Sequence, residues 1–329
     1  MKSFQLKFLW AFIAGSLFLT SCSDDDDDME PDQGQQMSTI AQIATDNGNF
    51  TILLDALGRT GLDAVAADAS QTLTVFAPTD EAFGNLLTEL NAADLDEVEA
   101  LLGTDGLENV LKYHILGSVV TSDAVPTGYV PTLGVNASED ALSIYTNTAS
   151  GVRINDRADV DIPDLMASNG VIHVIDEVIL PMTMFQLLDV NADYATLVTA
   201  LETADGDLDA LFNDATAGPF TLFAPDEAAF ADLLEELSLA DVPALVAALG
   251  TDGLADVLTY HAVSGNVNRN EVPAGDVPTV NGANISIDLN GGSSVEITDV
   301  LNRVTTVTSF DIQGTNGVIH GINKVKLPS

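Results

Sequence analysis

Asn169-Gly170-Val171-Ile172-His173 returns letter for letter as Asn316-Gly317-Val318-Ile319-His320, 147 residues further along the chain. Other landmarks keep that separation: Phe76 with Phe223, the run GTDGL at 103–107 with 250–254, and Tyr113-His114 with Tyr260-His261. Solenoid repeats recur every ~20–50 residues, so a period of this size is that of a domain. The 329 residues hold about two domains of ordinary size, and each copy is long enough to bury its own core.

Working outward from the pentapeptide, residues 170–175 read GVIHVI and carry few polar groups. This predicts a strand buried on both faces, at the centre of each domain. The Asn-Gly pair before it is a turn signal that uses the freedom of glycine at positive φ, and the histidine is expected to complete a hydrogen-bond network. Upstream, LTVFAP at 73–78 and FTLFAP at 220–225 are short β runs closed by proline, which cannot donate to a ladder. Thr79 and Asp226 then stand as N-caps, with Asp80, Glu81 and Glu227 in the first helical turn, where the dipole favours negative charge. A metal or catalytic site is the other reading of this acidic cluster; helix initiation accounts for both copies without further assumption.

Each copy opens with apolar residues at three- and four-residue steps: Ile40, Ile43, Phe50, Leu53, Leu54 and Leu57 in one, Phe185, Leu188, Tyr194, Leu197, Val198 and Leu201 in the other. A helix over 107–114 places Leu107, Val110, Leu111 and His114 on one face, and Leu254, Val257, Leu258 and His261 repeat it. Residues 119–178 and 267–325 are rich in Val, Ile and Thr with Gly, Asn and Asp breaks, the pattern of short strands. Helices first and sheet afterwards is an α+β unit.

Residues 1–21 carry Lys2 and Lys7 before an apolar run from Phe8 to Leu19, too short to span a bilayer, and read as an export signal. Leu19-Thr20-Ser21-Cys22 resembles the lipobox of bacterial lipoproteins. The expectation is that Cys22, the only cysteine, is lipidated and anchors the chain to the membrane. Residues 22–37 contain five consecutive aspartates, Asp24 to Asp28, and form an acidic flexible tether. That stretch resembles the one some Gram-negative lipoproteins carry when sent to the cell surface. The expected organisation is therefore signal peptide 1–21, tether 22–37 and domains at 38–182 and 183–329, exported and lipid-anchored to the outer membrane with the surface exposed.

Ten basic residues stand against fifty acids, and two of the ten lie in the leader, so the formal charge of −40 becomes −42 without it. Such a surface repels nucleic acid and anionic head groups, which excludes nucleic acid as a partner.

TLTVFAPTDEAF at 72–83, Tyr113-His114 and NGVIHVIDEVILP at 169–181 resemble the fasciclin domain, with its two sequence blocks and the Tyr-His pair between them. FTLFAPDEAAF at 220–230, Tyr260-His261 and NGVIHGINKVKLP at 316–328 resemble it again. The resemblance implies two tandem fasciclin-like domains, each a twisted β wedge packed against several helices, in secreted or anchored proteins that mediate adhesion. The copies differ where Gly321, Asn323, Lys324 and Lys326 replace Val174, Asp176, Glu177 and Ile179, so their surfaces and partners are expected to differ.

The four histidines, His114, His173, His261 and His320, occupy equivalent positions. HExxH and GxSxG are absent and no second cysteine is available, so neither a catalytic residue, a metal site nor a cofactor is expected. Asp205-Gly206-Asp207-Leu208-Asp209 begins like an EF-hand but has Ala210 and Thr216 where that loop needs Gly and Glu. Tyr113, His114, Tyr260 and His261 are the candidate partner contacts, with half-buried core residues as the other reading. The expected function is adhesion or matrix binding to a surface protein or polysaccharide, without catalysis. A carbohydrate- or small-ligand-binding lipoprotein, calcium-assisted, is the alternative, and a hydrolase has only unlinked Ser, His and Asp residues behind it.

Overall fold

The computed structural model describes residues 37–102 and 105–329. The leader, Cys22, the acidic tether and the pair Gly103-Thr104 lie outside the described residues. Residues 37–329 form one compact unit that contains two copies of the same α+β architecture.

In the first copy the order is α1 (Ile40–Asp46), α2 (Thr51–Thr60), α3 (Asp63–Ala67), β1 (Leu73–Pro78), α4 (Asp80–Glu89), α5 (Leu95–Leu102), α6 (Gly106–Tyr113), β2 (Ile115–Leu116), β3 (Gly128–Val135), β4 (Ala141–Asn147), β5 (Arg153–Ile154), β6 (Ala158–Ala167) and β7 (Gly170–Ile175). The second copy repeats it with α7 (Met184–Asp189), α8 (Ala195–Thr203), α9 (Leu208–Asn213), β8 (Phe220–Pro225), α10 (Glu227–Glu236), α11 (Val242–Thr259), which is broken at Gly250 and stands for both α5 and α6, β9 (Ala262–Ser264), β10 (Gly275–Pro278), β11 (Asn284–Asp288), β12 (Glu296–Thr298), β13 (Val304–Gly314) and β14 (Gly317–Ile322). Thr79 and Asp226 cap their helices as expected, accepting from Ala82 N at 3.2 Å and Ala229 N at 2.8 Å.

The sheet order is β2-β1-β7-β6-β5-β4-β3, and the second sheet runs in the same way from β9 through β8 and β14 to β10. The repeated pentapeptide opens β7 and β14, which pair in parallel with β1 and β8 on one side and antiparallel with β6 and β13 on the other. Every residue of both strands is buried. Alternation along β7 then divides the core. Ile172 and Val174 face the helices with Phe50, Leu53, Phe83 and Leu111, while Ile175 faces the wedge with Phe76, Tyr113, Leu142 and Ile144. Each such aliphatic or aromatic side chain removed from water contributes about 1.5–3 kcal/mol.

Two local findings differ from the sequence reading. The β6–β7 turn is made by Ser168 and Asn169, and Gly170 is the first residue of β7, paired with Ala167. Its φ is 156°, and a Cβ there would lie 2.0 Å from the carbonyl oxygen of Leu73. The glycine is therefore required by the close approach of β1, and Gly317 stands in the same relation to Phe220 at 2.1 Å. The asparagine is no turn ornament. Its side chain is buried and tied to three backbone groups in two other segments: Oδ1 accepts from Ile40 N at 2.9 Å, and Nδ2 donates to the carbonyls of Ala66 and Asp68, both at 3.0 Å. Asn316 does the same with Met184 N, Phe212 O and Asp214 O.

The copies also differ in one hairpin. Gly128 pairs with Thr146 across β3–β4, and the corresponding pair across β10–β11 is Gly275 with Ile287, so the second hairpin is six residues shorter. The extra residues of the first reach the second copy. Asp140 accepts from Nδ2 of Asn266 at 2.5 Å and of Asn268 at 2.7 Å, Asn136 donates to Gln313 Oε1 at 3.0 Å, and Gln313 N donates to Ser143 Oγ at 3.0 Å. Tyr129 closes the junction by donating to Leu187 O at 2.7 Å.

Candidate functional site

The residues singled out as partner contacts lie in the interior. Tyr113 and Tyr260 have no exposed surface, and His114 and His261 keep 2% and 1%. This burial favours the other of the two readings, that these four side chains belong to the core. Helix α6 ends at Tyr113, and its apolar stripe turns the ring inward between the helix and the wedge. The Tyr113 hydroxyl donates to Ser143 O at 2.8 Å and accepts from Asn155 Nδ2 at 3.1 Å; burial pushes its phenol up. Tyr260 donates to Asn284 O at 2.8 Å and accepts from Val300 N at 3.2 Å. Each tyrosine thus pins its helix to the sheet. Tyr113→Phe is expected to lose about 1 kcal/mol, read as a lower unfolding midpoint, with adhesion unchanged wherever the fold persists. Lost adhesion at an unaltered midpoint would restore the contact reading.

Each histidine ring has both nitrogens spent on backbone. His114 Nδ1–H donates to Val110 O at 2.7 Å and Nε2 accepts from Ile179 N at 3.1 Å. His261 repeats this with Val257 O and Lys326 N. One donor and one acceptor on each ring require the neutral form. Burial accordingly lowers His114 to about 4 and His261 to about 3. His173 and His320, at 1% and 0% exposure, accept through Nδ1 from Asp164 N and Asp311 N and donate through Nε2 to Val120 O and Val267 O. These bonds fasten the loops after β2 and β9 across the sheet.

The depressed values carry a stability signature. Below the ordinary histidine value of 6.5 the unfolded chain takes up protons that folded His114 and His261 refuse. Stability is therefore full above that pH and falls progressively down to about 3. Denaturant midpoints measured between those limits should decline with acid, and the decline should be smaller in His114→Gln than in the wild type.

Two of the three acids after the prolines, Asp80 and Glu227, are spent on structure. Asp80 accepts from Thr51 Oγ1 at 2.7 Å and Ile52 N at 2.8 Å, and Glu227 from Thr196 Oγ1 at 2.8 Å. They tie α4 to α2 and α10 to α8. Among the described residues no group of three or more His, Cys, Asp or Glu is arranged to hold a metal ion. Two clefts open beside these helix starts. One, of about 450 Å³, is lined by Asn49, Asp80, Asp161 and Glu177; the other, of about 490 Å³, lies where Tyr129 of the first copy meets Asn191, Tyr194 and Asp226 of the second. Sequence reading did not find the second cleft. Its first-copy wall is Gly128 and Tyr129 at the start of β3, which no local pattern in the sequence relates to the second copy.

Human periostin is 28% identical to this chain over 299 residues, 88% of the chain and 32% of periostin. The pig transforming growth factor-beta-induced protein ig-h3 is 28% identical over 261 residues, 78% of the chain and 35% of that protein. The chain thus spans about a third of the length of these two relatives. Protein sll1483 of Synechocystis is 35% identical over 147 residues, 45% of the chain and 74% of that protein. Among solved structures, a FAS1 domain pair from the insect cell adhesion molecule Fasciclin I aligns with a TM-score of 0.47 and 17% identity, covering 87% of this chain and 96% of that one. The fasciclin domain profile itself matches residues 48–181 and again residues 192–328. With both copies matched over most of their length, the chain belongs to the fasciclin domain family.

Proposed function

We propose that this chain is a non-catalytic adhesion or matrix-binding protein, exported and held at the outer membrane of a Gram-negative bacterium by lipid on Cys22, with its domains displayed at the cell surface. The observation that carries the non-catalytic part is the use made of the histidines. All four are buried and bonded to backbone on both ring nitrogens, so the groups from which a general base or metal site would be built hold the fold instead. Family membership supports the adhesive part. Cells that display the chain should be retained on a surface coated with envelope or matrix material, and cells lacking it should not; equal retention would end this reading.

The anchor has its own test. Two or more acyl chains give stable attachment, so Cys22→Ser should move the protein from the membrane fraction to the soluble fraction, and its continued recovery in the membrane would remove Cys22 from this role. A second reading, a carbohydrate- or small-ligand-binding lipoprotein assisted by calcium, is favoured by the open cleft at the domain junction, where aromatic rings, an amide and carboxylates converge. A glycan array probed with and without calcium separates the two.

A further inference from the structure

Basic residues are scarce in this chain, and those in the first domain are engaged with acids. Arg59 pairs with Asp55 and Asp96, Lys112 with Glu108, and Arg153 with Asp156 and Asp159. Arg157 lies between Glu89 and Glu177, and Asn85 donates to Glu177 at 3.1 Å, which closes that end of α4. The second domain keeps the arginine and changes its surroundings. Arg303 stands just before β13 as Arg157 stands just before β6, and its Nη2 pairs with Glu236 at 2.8 Å, the counterpart of Glu89. The other acid is gone. Lys324 replaces Glu177, and Asp232 replaces Asn85.

The result is a pocket of about 360 Å³ between α10 and the end of β14, lined by Ala229, Asp232, Leu233, Glu236, Arg303 and Lys324. Nη1 of Arg303 is buried with no hydrogen-bond partner, as is Nε of Arg157 in the first domain. Lys324 is exposed and joins none of the ion pairs among the described residues, Asp232 included. Arg303 and Lys324 therefore line one pocket, at the place where the first domain sets Glu177 3.6 Å from Arg157.

We propose that this pocket binds an acidic sugar, a uronate residue of a polysaccharide, with its carboxylate on Arg303 and Lys324. The chemistry of the lining matches such a ligand part by part. A guanidinium edge and an ammonium take a carboxylate through charge-assisted hydrogen bonds. Asp232 and Glu236 accept from sugar hydroxyls, and Ala229 with Leu233 offers an apolar floor to the ring's C–H face. In the first domain Glu177 occupies the carboxylate's place, which makes the site a property of the second domain alone. The assignment deepens the binding reading above and rests on it.

Titration of the full chain with a galacturonate trisaccharide, in about 0.15 M salt to screen the long-range repulsion, tests the site. Lys324→Glu restores the residue of the first domain at an exposed position, so the fold is kept. The expected result is saturable binding by the wild type, weakened at least about tenfold in Lys324→Glu (a tenfold change is about 1.4 kcal/mol), with no binding of the neutral galactose trisaccharide. Glu177→Lys should add a second, weaker site. Equal affinity in Lys324→Glu, equal binding of the neutral sugar, or inorganic phosphate binding as tightly as the uronate would each overturn the proposal. Such a failure removes this site only; the adhesion reading falls separately, if display of the intact chain does not retain cells.

Discussion

Replacing Lys326 with Met stabilises the second domain by about 2–4 kcal/mol near neutral pH. Lys326 has no exposed surface, and its Nζ makes one hydrogen bond, to Ile297 O at 3.2 Å. Burial lowers its pKa from the ordinary 10.5 to about 7, with Asp299 opposing the shift and Arg303 reinforcing it. Asp299 does not depend on the lysine, because Oδ1 accepts from Leu301 N and Arg303 N and Oδ2 from Leu327 N. The backbone at this position is also independent of the side chain. Lys326 N donates to His261 Nε2 at 2.9 Å just as Ile179 N donates to His114 Nε2 at 3.1 Å, and the first domain has an apolar residue there.

The sign of the pH effect follows from the lowered value. Between about 7 and 10.5 the unfolded lysine holds a proton that the folded one has released, so stability rises with pH across that window and is full only above it. Denaturant midpoints of the wild type should climb in the window, and those of Lys326→Met should stay flat and higher. A midpoint that falls in the variant would mean that the ammonium is a net stabiliser. The lysine then has to be sought as a partner of Asp299.

The second large effect is expected at Asn169. A turn residue before glycine tolerates Asp as well as Asn, so a turn role alone predicts Asn169→Asp to be nearly neutral. The buried tie predicts the opposite. Nδ2 donates to two carbonyls, of Ala66 and Asp68, and a carboxylate would face both with no proton to offer. Loss of two donors in a site 1% exposed should cost about 3–4 kcal/mol, seen as a lower unfolding midpoint, and Asn316→Asp should do the same in the second domain. A change within about 0.5 kcal/mol would return the residue to the turn.

Much of the architecture was legible in the letters. The repeat separation, the apolar periodicity of residues 40–57, the caps at Thr79 and Asp226 and the strand with few polar groups are local patterns, and each constrains a short segment by its own stereochemistry. The tyrosines and histidines were harder to place. His114 and His261 lie on an apolar helix face, which favoured the core, while Tyr113 and Tyr260 suited either a partner contact or the core; only the closed β wedge removes the tyrosines from solvent.

What the residues by themselves determined is the pair of α+β units, their order, their kinship to the fasciclin domain and the swap of Glu177 and Ile179 for Lys324 and Lys326. Tertiary structure alone decided the rest. It set Asn169 against carbonyls more than a hundred residues upstream, carried the tip of the longer hairpin onto Asn266 and Asn268, and left Arg303 and Lys324 across an open pocket while enclosing Lys326. The physical reason is one of range. Periodicity and capping act within a few residues, whereas burial, unmatched charge and a shared hydrogen bond depend on which distant segment arrives alongside.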